Sequence, residues 1–174
     1  MSREMEEIFW DGIAEEPLGI VWAAVRDKKL IAVAIGGDAD GFSQMLAQRY
    51  HNRLTRSKDQ IAPLIRQIKA YLHGERKTFE IQIDWAVMSP FQTKVLQAVF
   101  AIPYGEKRSY AQIADQVGMP KAARAVGRAN ATNPIPLVIP CHRVIGADGS
   151  LRGYGSGNGI KTKAWLLHLE KGII

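Results

Sequence analysis

Residues Ser109–Gly127 read SYAQIADQVGMPKAARAVG, and this segment decides the fold that we predict for the second half of the chain. Ser109 is a favourable helix N-cap, and the apolar side chains after it recur at helical spacing. Gly118–Pro120 predicts a tight turn, and a further helix is expected from residue 121 to about residue 131. Two short helices around a glycine-containing turn, the second one basic, are typical of a helix-turn-helix. Many helical pairs that never touch DNA share this pattern.

The helix after this turn has very little side-chain bulk. Alanine and glycine fill most of its positions, whereas Lys121, Arg124 and Arg128 supply positive charge. A helix with its side chains is about 10–12 Å wide and the minor groove of DNA about 6 Å, so small residues would ease a close approach to a widened minor groove. Tight packing against the neighbouring helices explains the same composition, and the two explanations are compatible because a helix has two faces.

A helix is also predicted upstream of this segment. It begins at Ser89-Pro90, with serine as the N-cap and proline at the first helical position, and it ends before Pro103-Tyr104-Gly105. A domain boundary is therefore expected near residues 79–89. We predict an N-terminal domain of residues 1–84 and a C-terminal domain of residues 85–174.

The first half of the chain has the pattern of a small α+β domain. Apolar runs at residues 7–10, 18–25 and 30–35 predict strands, and the polar turn between the second and third predicts a hairpin. Helical spacing follows at residues 41–49 and 61–72. No part of this half resembles a functional site, so we interpret it as a scaffold.

Charge is distributed unevenly between the halves. Residues 1–84 carry 12 basic and 13 acidic side chains, whereas residues 85–174 carry 11 basic and 4 acidic ones. The net charge of +6 therefore comes wholly from the second half, as expected if that half faces a polyanion. Simple solubility explains the same excess.

Composition sets the broad class of the protein. The 174 residues are 47% hydrophobic, with one cysteine and four histidines that show no metal-ligand spacing. The sequence contains no apolar stretch long enough to span a bilayer, and the charged N-terminus lacks the apolar core of a signal peptide. We expect a soluble cytoplasmic protein with no internal disulfide, metal site or cofactor.

The lone cysteine lies in the segment NPIPLVIPCHRVIG, residues 133–146. A single cysteine is most often a small buried hydrophobe. In this segment the adjacent His142 and Arg143 could lower the pKa of Cys141 and so make it nucleophilic. Neighbouring side chains diverge in an extended chain, so contact between Cys141 and His142 needs a water or a sharp turn. A distal carboxylate such as Glu170 would orient the imidazole, although Glu170 considered alone is typical of a solvated helix residue.

Residues 146–159 are rich in glycine and contain a single aromatic residue, Tyr154. A flexible loop beside a nucleophile can form a lid or a pocket wall. A phosphate-binding loop is the alternative, but the segment matches no Walker or dinucleotide motif. Tyr154 could stack on a planar ring or fill the core.

The chain resembles the O6-alkylguanine-DNA alkyltransferase family. The resemblance covers about residues 89–171 and rests on Ile139–Ile145 with Asn133–Pro136, on Ile102–Glu106 with Ser109-Tyr110, and on Pro120–Gly127. It implies an α+β protein with a ribonuclease-H-like N-terminal domain and a winged-helix-like C-terminal domain that carries the helix-turn-helix.

The resemblance also implies catalytic roles. Cys141 matches the alkyl acceptor, and His142 and Glu170 match the residues that activate it through a water. Asn133 matches the hinge between the recognition helix and the active-site loop. Tyr110 matches the residue that rotates the nucleotide's phosphate and donates a proton to the base.

Further matches concern DNA and the base pocket. Arg124 matches the finger that fills the gap left by a flipped guanine. The other expected DNA contacts, besides Tyr110, are Lys121, Ala122, Ala123, Arg128 and Thr93. The expected base pocket comprises Val144, Tyr154, Gly155 and Asn130. The chain departs from its relatives at Asn130, where they place a bulkier apolar residue, and at Ala131, where some carry arginine.

The implied function is single-turnover repair of O6-alkylguanine in double-stranded DNA, with O4-alkylthymine as a second candidate substrate. The protein is expected to contact the minor groove as a monomer, without a cofactor. One alternative is a non-catalytic protein that binds alkylated DNA, although such relatives replace the cysteine. A winged-helix transcription regulator and a cysteine hydrolase are further alternatives.

Overall fold

A computed structural model describes residues 6–172 of the chain. The chain divides between Asp84 and Trp85 into two compact units. Each unit contains both helices and strands, as the α+β prediction requires. None of the described helices is long and apolar enough to cross a membrane.

The N-terminal unit is built on a four-stranded sheet of order β3-β2-β1-β4. Antiparallel pairs join β1 to β2 and β2 to β3, while β4 runs parallel to β1. Asp27 and Lys28 in the β2–β3 turn both have positive φ, which is the geometry of a two-residue hairpin turn. The predicted hairpin is thus confirmed, but the three-residue β4 was missed because it is too short for an alternation signal. The strands are β1 Ile8–Glu15, β2 Gly19–Arg26, β3 Lys29–Ile35 and β4 Leu54–Arg56.

Two helices belong to this unit, α1 Ala39–Tyr50 and α2 Lys58–Leu72. Asp38 and Ser57 cap them by accepting backbone N–H groups of the first turn. The apolar stripe predicted for α2 is buried against the sheet at Ile61, Leu64, Ile68 and Leu72. This burial of a helix stripe on one sheet face forms the core of the unit.

The C-terminal unit begins with α3 Pro90–Phe100 and α4 Tyr110–Gln116, whose N-caps are Ser89 and Ser109. Ser109 and Gln112 form a reciprocal capping box. The next helix, α5, spans Ala123–Ala131, two residues shorter at its start than predicted, because residues 118–122 continue the turn. The last helix, α6, spans Ile160–Glu170.

Two very short strands complete this unit. β5 Arg108–Ser109 pairs in parallel with β6 Val144–Ile145. Ser109 lies opposite Ile145, so the pairing brings the start of α4 beside the segment that follows the cysteine. This non-local pairing was not predicted, because two-residue strands leave no periodic pattern.

Candidate active site and DNA-binding surface

The segment that carries Cys141 is buried and tightly bonded. Residues 134–144 are all buried. Asn133 holds the segment through both ends of its amide, since Nδ2 donates to the Ile139 carbonyl at 2.9 Å and Oδ1 accepts from the Ile135 N–H at 2.9 Å. Residues Cys141–Arg143 then form one turn of 3-10 helix. A sharp turn at Cys141 and His142, one of the two arrangements that the sequence left open, is therefore present.

A carboxylate, an imidazole and a guanidinium meet in the interior behind this turn. His142 Nε2 lies 2.7 Å from Glu170 Oε1, and Arg143 donates to both oxygens of the same carboxylate at 2.8–3.1 Å. The Gly105 N–H donates a further hydrogen bond to Glu170 Oε2 at 3.1 Å. Side-chain exposure is 0% for His142, 8% for Arg143 and 1% for Glu170. The interpretation of Glu170 as a solvated helix residue is therefore wrong.

The expected influence of Arg143 on the thiol is also wrong. Its guanidinium contacts Glu170 and the Ile102 carbonyl, so its charge is neutralised away from Cys141. Burial raises the pKa of the Cys141 thiol above its ordinary value. The interactions that lower this pKa come from other residues, namely hydrogen bonds with Asn133 and Tyr154 and the charge of Lys163.

Lys163 is a functional candidate that the sequence analysis missed. It is completely buried, and its Nζ donates to the Val144 carbonyl at 2.6 Å and to the Arg152 carbonyl at 3.3 Å. Burial lowers its pKa, and the nearby Cys141 opposes that shift. A signal was available in the sequence, because Lys163 is spaced three and seven residues from Leu166 and Glu170, on the same helical stripe.

Tyr110, the first residue of α4, is half-buried beside the same centre. Its pKa is raised, chiefly by burial and by the proximity of Cys141, while a hydrogen bond from Asn130 and the charge of Arg152 lower it. A Cβ placed on Gly127 would lie 3.7 Å from the Tyr110 ring, so the ring packs closely on α5. Tyr110 is thereby a protonated phenol next to the thiol over the physiological pH range.

The residues expected to form the base pocket differ in burial. Val144, Tyr154 and Asn130 are buried, and Asn130 Nδ2 donates to the Cys141 carbonyl at 3.1 Å. Gly155 is exposed, but a Cβ there would approach the Ala131 carbonyl to 2.5 Å. Only glycine allows the loop to pass so close to the end of α5.

The residues expected to bind DNA lie on and around α5. Lys121, Arg124 and Arg128 are exposed, and no salt bridge within residues 6–172 involves any of them. Ala122 and Ala123, at the start of α5, are only partly exposed, and their expected DNA contacts remain predictions. The three cations are thus available to phosphate groups.

Thr93 lies apart from this row of cations. It is half-buried on α3, and its hydroxyl donates to the Trp85 carbonyl at 3.3 Å. Its expected DNA contact remains a prediction. Across residues 6–172, no group of three or more His, Cys, Asp or Glu side chains is arranged to hold a metal ion.

Two family models match the chain. The 6-O-methylguanine DNA methyltransferase DNA-binding domain matches residues 90–172, and the ribonuclease-like domain of the same methyltransferases matches residues 11–85. The constitutive methylated-DNA–protein-cysteine methyltransferase of Bacillus subtilis is 40% identical over 158 residues, which cover 91% of this chain and 93% of the relative. The chain belongs to this methyltransferase family.

Further relatives of this methyltransferase are mycobacterial. The Mycobacterium leprae methylated-DNA–protein-cysteine methyltransferase is 54% identical over 110 residues, and this alignment spans 63% of the chain but only 65% of that relative's length. The crystal structure of Mycobacterium tuberculosis OGT in complex with DNA superposes with a TM-score of 0.80 and 39% identity, covering 95% of this chain and 94% of that one. The predicted fold class, with a ribonuclease-like domain before a helical DNA-binding domain, is therefore confirmed.

Proposed function

We propose that this protein repairs DNA by transferring the alkyl group of an O6-alkylguanine to the sulfur of its own Cys141. The observation that supports this most strongly is the buried contact between His142 and Glu170, which lies directly behind the chain's only cysteine. A carboxylate that holds an imidazole beside a thiol is the arrangement that activates a cysteine nucleophile.

DNA binding is the first step of the proposed reaction. The exposed cations of α5 supply attraction to phosphates, and the alanines around them let the helix enter the minor groove. The target carbon is hidden inside the duplex, so the damaged nucleotide must rotate out of the base stack at a cost of a few kcal/mol. Arg124 takes the place of the extruded base. One protein molecule, acting as a monomer, suffices for this step because every proposed contact belongs to one chain.

Alkyl transfer follows once the base reaches Cys141. The thiol proton passes through a water to His142, and Glu170 stabilises the imidazolium that results. The Cys141 thiolate forms a bond to the alkyl carbon while the bond from that carbon to O6 breaks, and its electron pair stays with guanine. Tyr110 donates a proton to the departing base, and the Lys163 charge favours the thiolate. The product is a thioether, which no neighbouring group can hydrolyse, so each molecule reacts once.

Intact-protein mass spectrometry after incubation with duplex DNA containing O6-methylguanine tests this proposal. We expect one methyl group per protein molecule, located on Cys141. Cys141→Ser should abolish transfer but retain DNA binding, because a hydroxyl is far less ionised than a thiol near neutral pH. A methyl group on another residue, or more than one methyl removed per protein molecule, would contradict the proposal.

The role of Arg124 can be tested separately. Arg124→Ala should strongly slow repair of duplex DNA, because the stack around the orphaned base is left open. Reaction with free O6-benzylguanine, which needs no base flipping, should be nearly unchanged. Equal slowing on both substrates would show that Arg124 supports the fold or the pocket.

A further inference from the structure

Asn130 connects two groups of the proposed active site. It lies in the last turn of α5 and is 4% exposed. Its Nδ2 donates to the carbonyl of Cys141 at 3.1 Å, and its side chain lies close enough to Tyr110 to lower the pKa of that phenol. One amide therefore holds the backbone of the proposed nucleophile and lies beside the phenol next to it.

The other end of this amide is unsatisfied. Asn130 Oδ1 is closed to solvent and has no hydrogen-bond partner among the residues that the structure describes. Nδ2 donates to the Cys141 carbonyl, and turning the amide over would place its oxygen against that carbonyl, where no hydrogen bond could form. The amide is thus held in one orientation, with its acceptor left over. Buried acceptors without a partner are rare in folded proteins, because each one loses its hydrogen bonds to water without replacement.

A ligand that satisfies this acceptor must bring a hydrogen-bond donor to Cys141. Alkylation at O6 removes the hydrogen from N1 of guanine, so the exocyclic 2-amino group is the only donor left on the base. A base placed with its alkyl carbon at Cys141 lies next to Asn130, since Asn130 is bonded to the Cys141 carbonyl. We propose that Asn130 Oδ1 accepts a hydrogen bond from the 2-amino group of the flipped O6-alkylguanine, and this inference rests on the proposed function. Asn130 is then a specificity-determining residue.

This contact distinguishes substrates because a base without the 2-amino group leaves Asn130 Oδ1 without a hydrogen bond in the complex. A site built to hydrogen-bond a substrate rejects an analogue that lacks the matching donor, because the protein's polar group then stays unpaired in the complex. The base that carries the 2-amino group gains the contact, and the analogue without it gains nothing.

The test compares duplexes that contain O6-methylguanine with duplexes that contain O6-methylhypoxanthine, which differs only by lacking the 2-amino group. Single-turnover transfer to Cys141 by the unmodified protein should be on the order of ten-fold faster from O6-methylguanine, the value of one hydrogen bond to a buried acceptor. In Asn130→Leu the ratio of the two rates should fall to near one. The two duplexes differ in base-pair stability, but this difference is the same for both proteins and cancels between their ratios.

Thr132→Val is the matched control. It also removes a polar group from the end of α5, but the Thr132 hydroxyl bonds to the Arg128 carbonyl and to Gln92 rather than to the active site. The Thr132→Val protein should keep the full preference for O6-methylguanine. If it loses the preference as Asn130→Leu does, the effect reports the packing of α5, and the proposal is overturned.

The comparison of the two substrates stands even if Asn130→Leu fails to fold. Equal rates of transfer from both duplexes by the unmodified protein would overturn the assignment of Asn130 while leaving the proposed function intact. Absence of methyl from Cys141 with both duplexes would instead overturn the proposed function.

Discussion

The two domains treat buried charge differently. In the N-terminal domain, buried carboxylates pair with basic side chains that are partly in water. Asp11 pairs with Arg56, whose side chain is 54% exposed, and Glu15 pairs with Lys69 and His73, which are 53% and 45% exposed. In the C-terminal domain, all three side chains of the cluster of His142, Arg143 and Glu170 are buried, and we call this the enclosed cluster.

This difference indicates what each set of charges does. An ion pair with one partner in water costs little to form and contributes little, about 0–1 kcal/mol. Forming an enclosed cluster removes every charged group from water, which costs free energy. The attraction between the charges seldom makes such a cluster more stabilising than well-packed apolar residues of the same volume. A cluster of this kind is therefore weak evidence for stability, but its position behind the proposed nucleophile is a good reason to retain it.

The largest expected effect is on the rate of alkyl transfer. Glu170→Gln should slow single-turnover transfer by about 10²–10⁴-fold without weakening DNA binding, because the imidazolium loses its stabilising charge. The N-terminal counterpart, Glu15→Gln, should leave the rate unchanged. Similar rates for Glu170→Gln and the unmodified protein, with the fold intact, would remove the functional distinction between the two clusters.

The free energy of unfolding should also fall more for a substitution in the enclosed cluster than for one in the N-terminal ion pairs. Arg143→Met removes the guanidinium that donates to both oxygens of the buried Glu170 carboxylate, so unfolding should become easier by about 3–5 kcal/mol. Lys69→Met leaves Glu15 bonded to His73 and should cost less than about 1 kcal/mol. Urea unfolding of the two variants measures this difference, and equal losses would show that the N-terminal pairs are as strongly coupled as the enclosed cluster.

The smallest expected effect is the pH dependence of stability. Burial lowers the pKa of His142 below its ordinary value of about 6.5, although Glu170 opposes the shift. Below that ordinary value the unfolded chain binds a proton that the folded protein does not, so stability falls as the pH falls toward the folded-state pKa. The loss is at most about 1.4 kcal/mol per pH unit.

His142→Gln removes this titration. Between about pH 7 and pH 5.5, its free energy of unfolding should therefore fall less than that of the unmodified protein. Parallel curves for the two proteins, measured by urea unfolding, would mean that His142 has the same proton affinity in the folded and unfolded states.

Local signals accounted for most of the secondary structure. Ser89-Pro90 and the Ser109–Gln112 capping box begin their helices where the sequence indicated, because caps satisfy backbone groups within one turn. The two-residue strands β5 and β6 escaped prediction, since each is stabilised only by its pairing with a distant segment. The start of α5 was placed two residues too early for a related reason, as alanine-rich sequence continues through the turn.

The sequence by itself singled out the proposed nucleophile, because Cys141 is the only cysteine and its PCHRV context is local. Only the tertiary structure decided which charges act on that cysteine. Arg143 is two residues away and turns toward Glu170, whereas Lys163 is 22 positions along the chain and is close enough for its charge to lower the pKa of the thiol. Spacing along the chain indicates which residues lie on the same face of a helix or strand. The interaction energy of two charges depends instead on their distance in space and on how far water is excluded from them. Those two quantities exist only after α6 has packed against the turn at Cys141–Arg143.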